Sequence, residues 1–83
     1  MIKMIVKDEN GLHARPASLI AKEAMQYDGE VVLIKNSKEY NAKSIMKIMS
    51  MGIQQNEEIY IKAEGENSDK FEERIKDIIE GKE

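Results

Sequence analysis

At 83 residues the chain has room for one domain with one core, and its 41% apolar residues recur in periodic blocks, which argues against a disordered segment. Cysteine is absent, which removes disulfides, thiolate nucleophiles and most zinc sites and suits a reducing cytoplasm. The net charge of -3 comes from interspersed Lys and Glu with no basic stripe, and no run approaches the ~20 apolar residues of a bilayer span; neither nucleic acid binding nor membrane insertion is expected.

Ile2, Met4 and Val6 alternate with Lys3, Ile5 and Lys7, the period of a strand with one face on a core. Asp8-Glu9-Asn10-Gly11 supplies turn chemistry, because Asn and Gly tolerate positive φ. From Pro16 the period changes. Ala17, Ile20, Ala21, Ala24 and Met25 form a helical stripe, predicting a helix to about Tyr27 with Pro16 in its first turn, where a missing N–H costs nothing. Val31-Val32-Leu33-Ile34 within Glu30 to Lys35 is β-branched and too short for a helix, so a buried strand is expected. Asn36-Ser37-Lys38 reads as a hairpin turn into a short strand around Glu39 to Ala42. Ser44 offers an N-cap to a two-turn helix, Ile45 to Met51, closed by Gly52. Ile59, Ile61 and Ala63 alternate as a last strand, and Ser68 or Asp69 should cap a final helix with Phe71, Ile75, Ile78 and Ile79 on one face. The order β-α-β-β-α-β-α predicts an α+β fold, one antiparallel sheet with its helices on one face.

His13 is the only histidine and directly precedes the helix that Pro16 begins. A helix start offers unpaired N–H groups and a partial positive charge, here expected from Arg15, Ala17 and Ser18, so an anion beside His13 would be held. Arg15 adds a guanidinium fork suited to phosphate oxygens. Together these describe a phosphorylatable histidine, although position alone leaves open a merely solvated loop residue. One histidine without cysteine cannot complete a metal shell, and Ser18 or Ser44 with His13 lacks the nucleophile elbow of a hydrolase. No cofactor is implied.

The string Gly11-Leu12-His13-Ala14-Arg15-Pro16-Ala17 resembles the active-site signature of the HPr family, the histidine-containing phosphocarriers of the sugar phosphotransferase system. Lys43 to Ile53 also resembles the family's segment around a regulatory serine, so the resemblance spans the chain. It implies an open-faced β-sandwich, a four-stranded antiparallel sheet with three helices on one side. It further implies that His13 takes phosphate on Nδ1 from phosphorylated enzyme I, that Arg15 stabilises it, and that sugar-specific IIA units receive it. The histidine motif is intact, whereas noncarrier relatives lack the histidine. Ser44 matches the serine that a dedicated ATP-dependent kinase phosphorylates, and that phosphorylated form binds a catabolite control protein in some bacteria.

The short second helix cannot bury every apolar side chain. Ile45 and Ile48 are expected in the core, leaving Met46, Met49 and Met51 as an adaptable docking patch framed by Lys22 and Lys47. A relay that must meet successive partners is expected to be monomeric. The rival from another class is a noncatalytic binding module that uses the second helix to recognise a regulator.

Overall fold

The computed structural model describes residues 1–82. In chain order the elements are β1 (Ile2–Ile5), α1 (Ala14–Gln26), β2 (Gly29–Lys35), β3 (Lys38–Asn41), α2 (Ile45–Ser50), β4 (Glu58–Gly65) and α3 (Ser68–Glu80). The four strands form one antiparallel sheet in the order β1-β4-β2-β3. Met4, Val31, Leu33, Ile59, Ile61 and Ala63 point to one face and are buried under the three helices, while Lys3, Tyr60 and Lys62 lie on the open side. This is the α+β arrangement expected from the element order, one antiparallel sheet with its helices on one face, and the open-faced sandwich that the resemblance implies. The period-two pattern fixes the register, because a slip by one residue would turn Ile59, Ile61 and Ala63 to solvent.

Local chemistry explains the turns. Asn36 and Ser37 take φ of 52° and 66°, so β2 and β3 are joined by two residues of positive φ, whose twist matches the strands they connect. The strand after them begins one residue earlier than expected, at Lys38. α1 buries Ala17, Ile20, Ala21 and Ala24, while Met25, the fifth member of the predicted stripe, stays exposed near the end of the helix; the helix starts at Ala14, so Pro16 is its third residue. α3 departs at its start: Asn67, in the left-handed region at φ 56°, precedes Ser68 and makes no side-chain cap, so neither Ser68 nor Asp69 is the cap. The Asn67 carbonyl instead accepts the Phe71 N–H at 3.0 Å, and Asn is among the few side chains that tolerate this conformation.

Two residues around α2 exchange the roles expected of them. The row Ile45, Ile48, Met51 has the i, i+3 spacing of one helix face, but only its last two members reach the core. Met51 is 4% exposed, because the chain turns inward after α2 and buries Ile53 beside it. Ile45 remains 44% exposed, so the apolar surface of α2 consists of Ile45, Met46 and Met49 and excludes Met51.

Among the described residues, Glu72 is the buried charged side chain. Its Oε2 accepts the Ala63 N–H at 2.8 Å and its Oε1 lies 2.9 Å from the Met1 amine, so both oxygens are partnered where water is excluded.

Candidate functional site

The loop between β1 and α1 carries His13 and is held at three points. Asp8 organises the first: its Oδ1 accepts the Asn10 N–H at 2.8 Å and its carbonyl accepts the Gly11 N–H at 2.9 Å, closing an Asx-type turn. Next, the Leu12 N–H donates to the Ile53 carbonyl at 3.2 Å, while the Leu12 side chain is buried. Gly11 permits this approach, since a Cβ there would stand 2.1 Å from the Ile53 oxygen and φ is +64°. Finally, the His13 carbonyl accepts the Ala17 N–H at 3.1 Å, making His13 the N-cap of α1.

That last bond corrects the expected phosphate cradle. The Ala17 N–H is already spent inside the helix, and Ser18 lies one residue deeper, where the helical ladder engages each donor. The donors left open at the start of α1 are the N–H groups of Ala14 and Arg15, Pro16 having none. The imidazole makes no capping bond, and its side chain is 39% exposed, available to an incoming group. Arg15 is exposed on the same turn and, among the described residues, its guanidinium has no ion-pair partner.

Around the histidine the surface is a groove between the start of α1 and the end of α3, lined by Lys7, Asp8, His13, Arg15, Leu19 and Glu80 among others. Asp8 lines the same groove, although the sequence marks it only as turn chemistry. Its Oδ2 stands 3.7 Å from His13 Nε2. The spacing Asp-x-Asn-Gly was the available signal, since an aspartate tied to its own turn cannot swing away into solvent.

The loop following α2 has its own brace. Lys35 Nζ reaches the carbonyls of Met51 at 3.1 Å and Gly52 at 3.3 Å, and Glu57 Oε1 at 3.1 Å. The Gln54 N–H also donates to that Glu57 oxygen at 2.7 Å. The backbone bond first and the lysine second hold the Glu57 carboxyl below the usual carboxylate range. The stability this adds is therefore present above the ordinary carboxylate range and is lost as pH falls through the lowered value. The brace matters to the histidine because Ile53, the carbonyl partner of Leu12, lies within the segment it fixes.

Ser44 is the N-cap of α2, its Oγ accepting the Lys47 N–H at 3.2 Å. Met46 is 79% and Met49 43% exposed, with Lys47 exposed between them. Lys22 is exposed on α1, which packs against α2.

Residues 2–81 match the family described as PTS HPr component phosphorylation site. The chain belongs to the HPr family. The phosphocarrier protein HPr of Mycoplasma pneumoniae is 48% identical over 80 residues, 95% of this chain and 91% of that one. A solved Mycoplasma histidine-containing phosphocarrier protein superposes with a TM-score of 0.87 at 42% identity, covering 94% of this chain and 89% of the other. HPr-C-His from Thermoanaerobacter tengcongensis gives the same TM-score at 37% identity, covering 98% and 91%. This HPr chain is thus a phosphocarrier of the phosphotransferase system, a protein that carries a group and is not itself the catalyst. Among the described residues no helix is long and apolar enough to cross a membrane.

Proposed function

We propose that the chain accepts a phosphoryl group on His13 Nδ1 from phosphorylated enzyme I and passes it to sugar-specific IIA units in the cytoplasm, acting as a monomer. The observation that carries this is the placement of His13: it caps α1 with its backbone alone, so the half-exposed imidazole is not used by the cap and lines the same groove as Arg15, at a helix start with open N–H donors. Transfer between two protein histidines needs positioning and charge stabilisation more than new covalent chemistry, and this site supplies both. The helix start and Arg15 would share the negative charge of the phosphoryl oxygens. Exposed Ile45, Met46 and Met49 would form the apolar docking patch, with Lys22 and Lys47 steering acidic partners. Incubation with enzyme I and phosphoenolpyruvate should add one acid-labile phosphate, read by intact mass. A protein that gains none is instead a binding module.

Arg15→Ala should still accept phosphate, because the helix donors remain, but should transfer it to a IIA unit about ten-fold more slowly, the scale of one charge-assisted bond lost. Quenched-flow measurement of phosphate leaving the carrier tests this, and an unchanged rate would place Arg15 outside the site.

Ser44 is proposed as a regulatory phosphorylation site for a serine kinase, and its phosphorylated form as a ligand for a catabolite control protein. Ser44→Asp keeps a good N-cap while adding charge beside Ile45 and Met46, so it should fold normally yet accept phosphate from enzyme I more slowly, mainly through apparent KM. Ser44→Ala removes the cap without charge, at about 0.5–2 kcal/mol of stability, and should be phosphorylated normally. If both variants match wild type at limiting carrier, Ser44 acts as a cap alone.

A further inference from the structure

We propose that Asp8 is a positioning residue for His13, holding the ring proton on Nε2 through the whole transfer cycle so that Nδ1 alone gains and loses the phosphoryl group. The proposal rests on the relay reading given above.

Two features of Asp8 carry it. Its Oδ1 and its carbonyl are both engaged by the turn, through the Asn10 and Gly11 N–H groups, so the carboxylate is fixed before any partner arrives. The remaining oxygen, Oδ2, faces His13 Nε2 at 3.7 Å. A carboxylate accepts and cannot donate, so it favours the ring form that carries the proton on Nε2 and leaves the lone pair on Nδ1. Other charged groups lining the groove are Lys7, Arg15, Glu80 and Lys82. Glu80, the other acid, is paired with Lys82 at 3.2 Å and lies outside ion-pair range of the ring.

The transfer steps then balance without moving a proton. In acceptance, the Nδ1 lone pair forms the new N–P bond while the donor's N–P bond breaks and its electrons stay on the donor nitrogen. The product ring bears phosphoryl on Nδ1 and a proton on Nε2, and is cationic. Asp8 is the anion beside it. In donation, the N–P electrons return to Nδ1, the phosphoryl group goes to the acceptor nitrogen, and the neutral Nε2–H ring reappears ready for another cycle. Without Asp8 the phosphorylated ring loses its Nε2 proton more readily, and a neutral phosphorylated ring is a poorer leaving group.

Asp8→Asn is the decisive variant, because Asn retains the turn through Oδ1 and replaces the charged acceptor that faces Nε2 with a neutral NH2 donor. Ring nitrogen chemical shifts of the unphosphorylated protein should show the Nδ1–H form rising about two- to five-fold relative to wild type, the scale of a half-exposed ion pair. Release of phosphate from the phosphorylated variant to a IIA unit should slow about two- to five-fold at neutral pH. That gap should close on acidification, as both phosphorylated rings become protonated. An unchanged tautomer ratio, or a slowing that is the same at every pH, overturns the role of Asp8. Failure of the wild type to accept phosphate from enzyme I would instead overturn the relay reading, and the tautomer ratio would still decide whether Asp8 sets the ring proton.

Discussion

His13→Ala is expected to lose all acid-labile phosphate uptake from phosphorylated enzyme I while melting within about 4 °C of the wild type. The loss should be complete because the sequence contains no second imidazole to accept the group. A phosphorus–nitrogen bond hydrolyses in acid, whereas a serine phosphate ester survives it, so lability separates His13 from Ser44 in one sample. Stability should hardly change for a structural reason. The His13 side chain makes no capping bond, and the N-cap role is discharged by its backbone carbonyl, which alanine retains. Removing a half-exposed side chain whose only charged neighbour, Asp8 Oδ2, stands 3.7 Å away costs about 0.5 kcal/mol or less. Intact mass after enzyme I treatment, with thermal melting of the same preparation, checks both halves. Acid-labile phosphate on the alanine variant would remove His13 from the relay.

What the sequence made legible and what it hid divide along range. The alternation of Ile59, Ile61 and Ala63 and the stripe Ala17, Ile20, Ala21, Ala24 depend only on which face meets a core, and both were readable without knowing the partner. The hairpin at Asn36 and Ser37 was readable for the same reason, since its twist is set by two adjacent dihedral pairs. Ile45 and Met51 were misassigned because a six-residue helix has too few turns to declare which end lies over the core; that is decided by where the chain goes after Gly52. The N–H of Ala17 was misassigned by two residues of helix start. Pro16 is compatible with any position of the first turn, so it marks the turn without fixing its first residue. Glu72 gave no local sign of burial: its partners, the Ala63 N–H and the Met1 amine, come from β4 and the far end of the chain. The histidine was therefore legible as a motif, whereas the carboxylate facing it was legible only as a turn.

Gly11→Ala should destabilise the fold by about 2–4 kcal/mol, lowering the melting temperature by about 10–25 °C, because two independent costs meet at one atom. The first is conformational. φ is +64°, where a side chain crowds its own backbone by roughly 1–2 kcal/mol. The second is contact: the new Cβ would stand 2.1 Å from the Ile53 carbonyl oxygen and 2.8 Å from Gln54 Cα, both backbone atoms that cannot rotate aside. Relief requires the histidine loop to lift from the Ile53 segment, breaking the bond that the Leu12 N–H donates there and exposing the buried Leu12 side chain. Gly52→Ala is the matched control. Its φ is +62°, nearly the same, but nothing lies within 4 Å of the added Cβ, so it should suffer only the conformational cost of about 1–2 kcal/mol. The difference between the two variants isolates the docking of the histidine loop on the turn after α2. That docking joins the two segments of the proposed function, since the same turn is braced by Lys35 and follows the helix that Ser44 caps. Gly11→Ala should consequently slow phosphate acceptance at temperatures where the protein is still fully folded, whereas Gly52→Ala should leave His13 in place. Equal losses of stability in the two variants would mean that the loop is held by its own turn at Asp8 and not by Ile53.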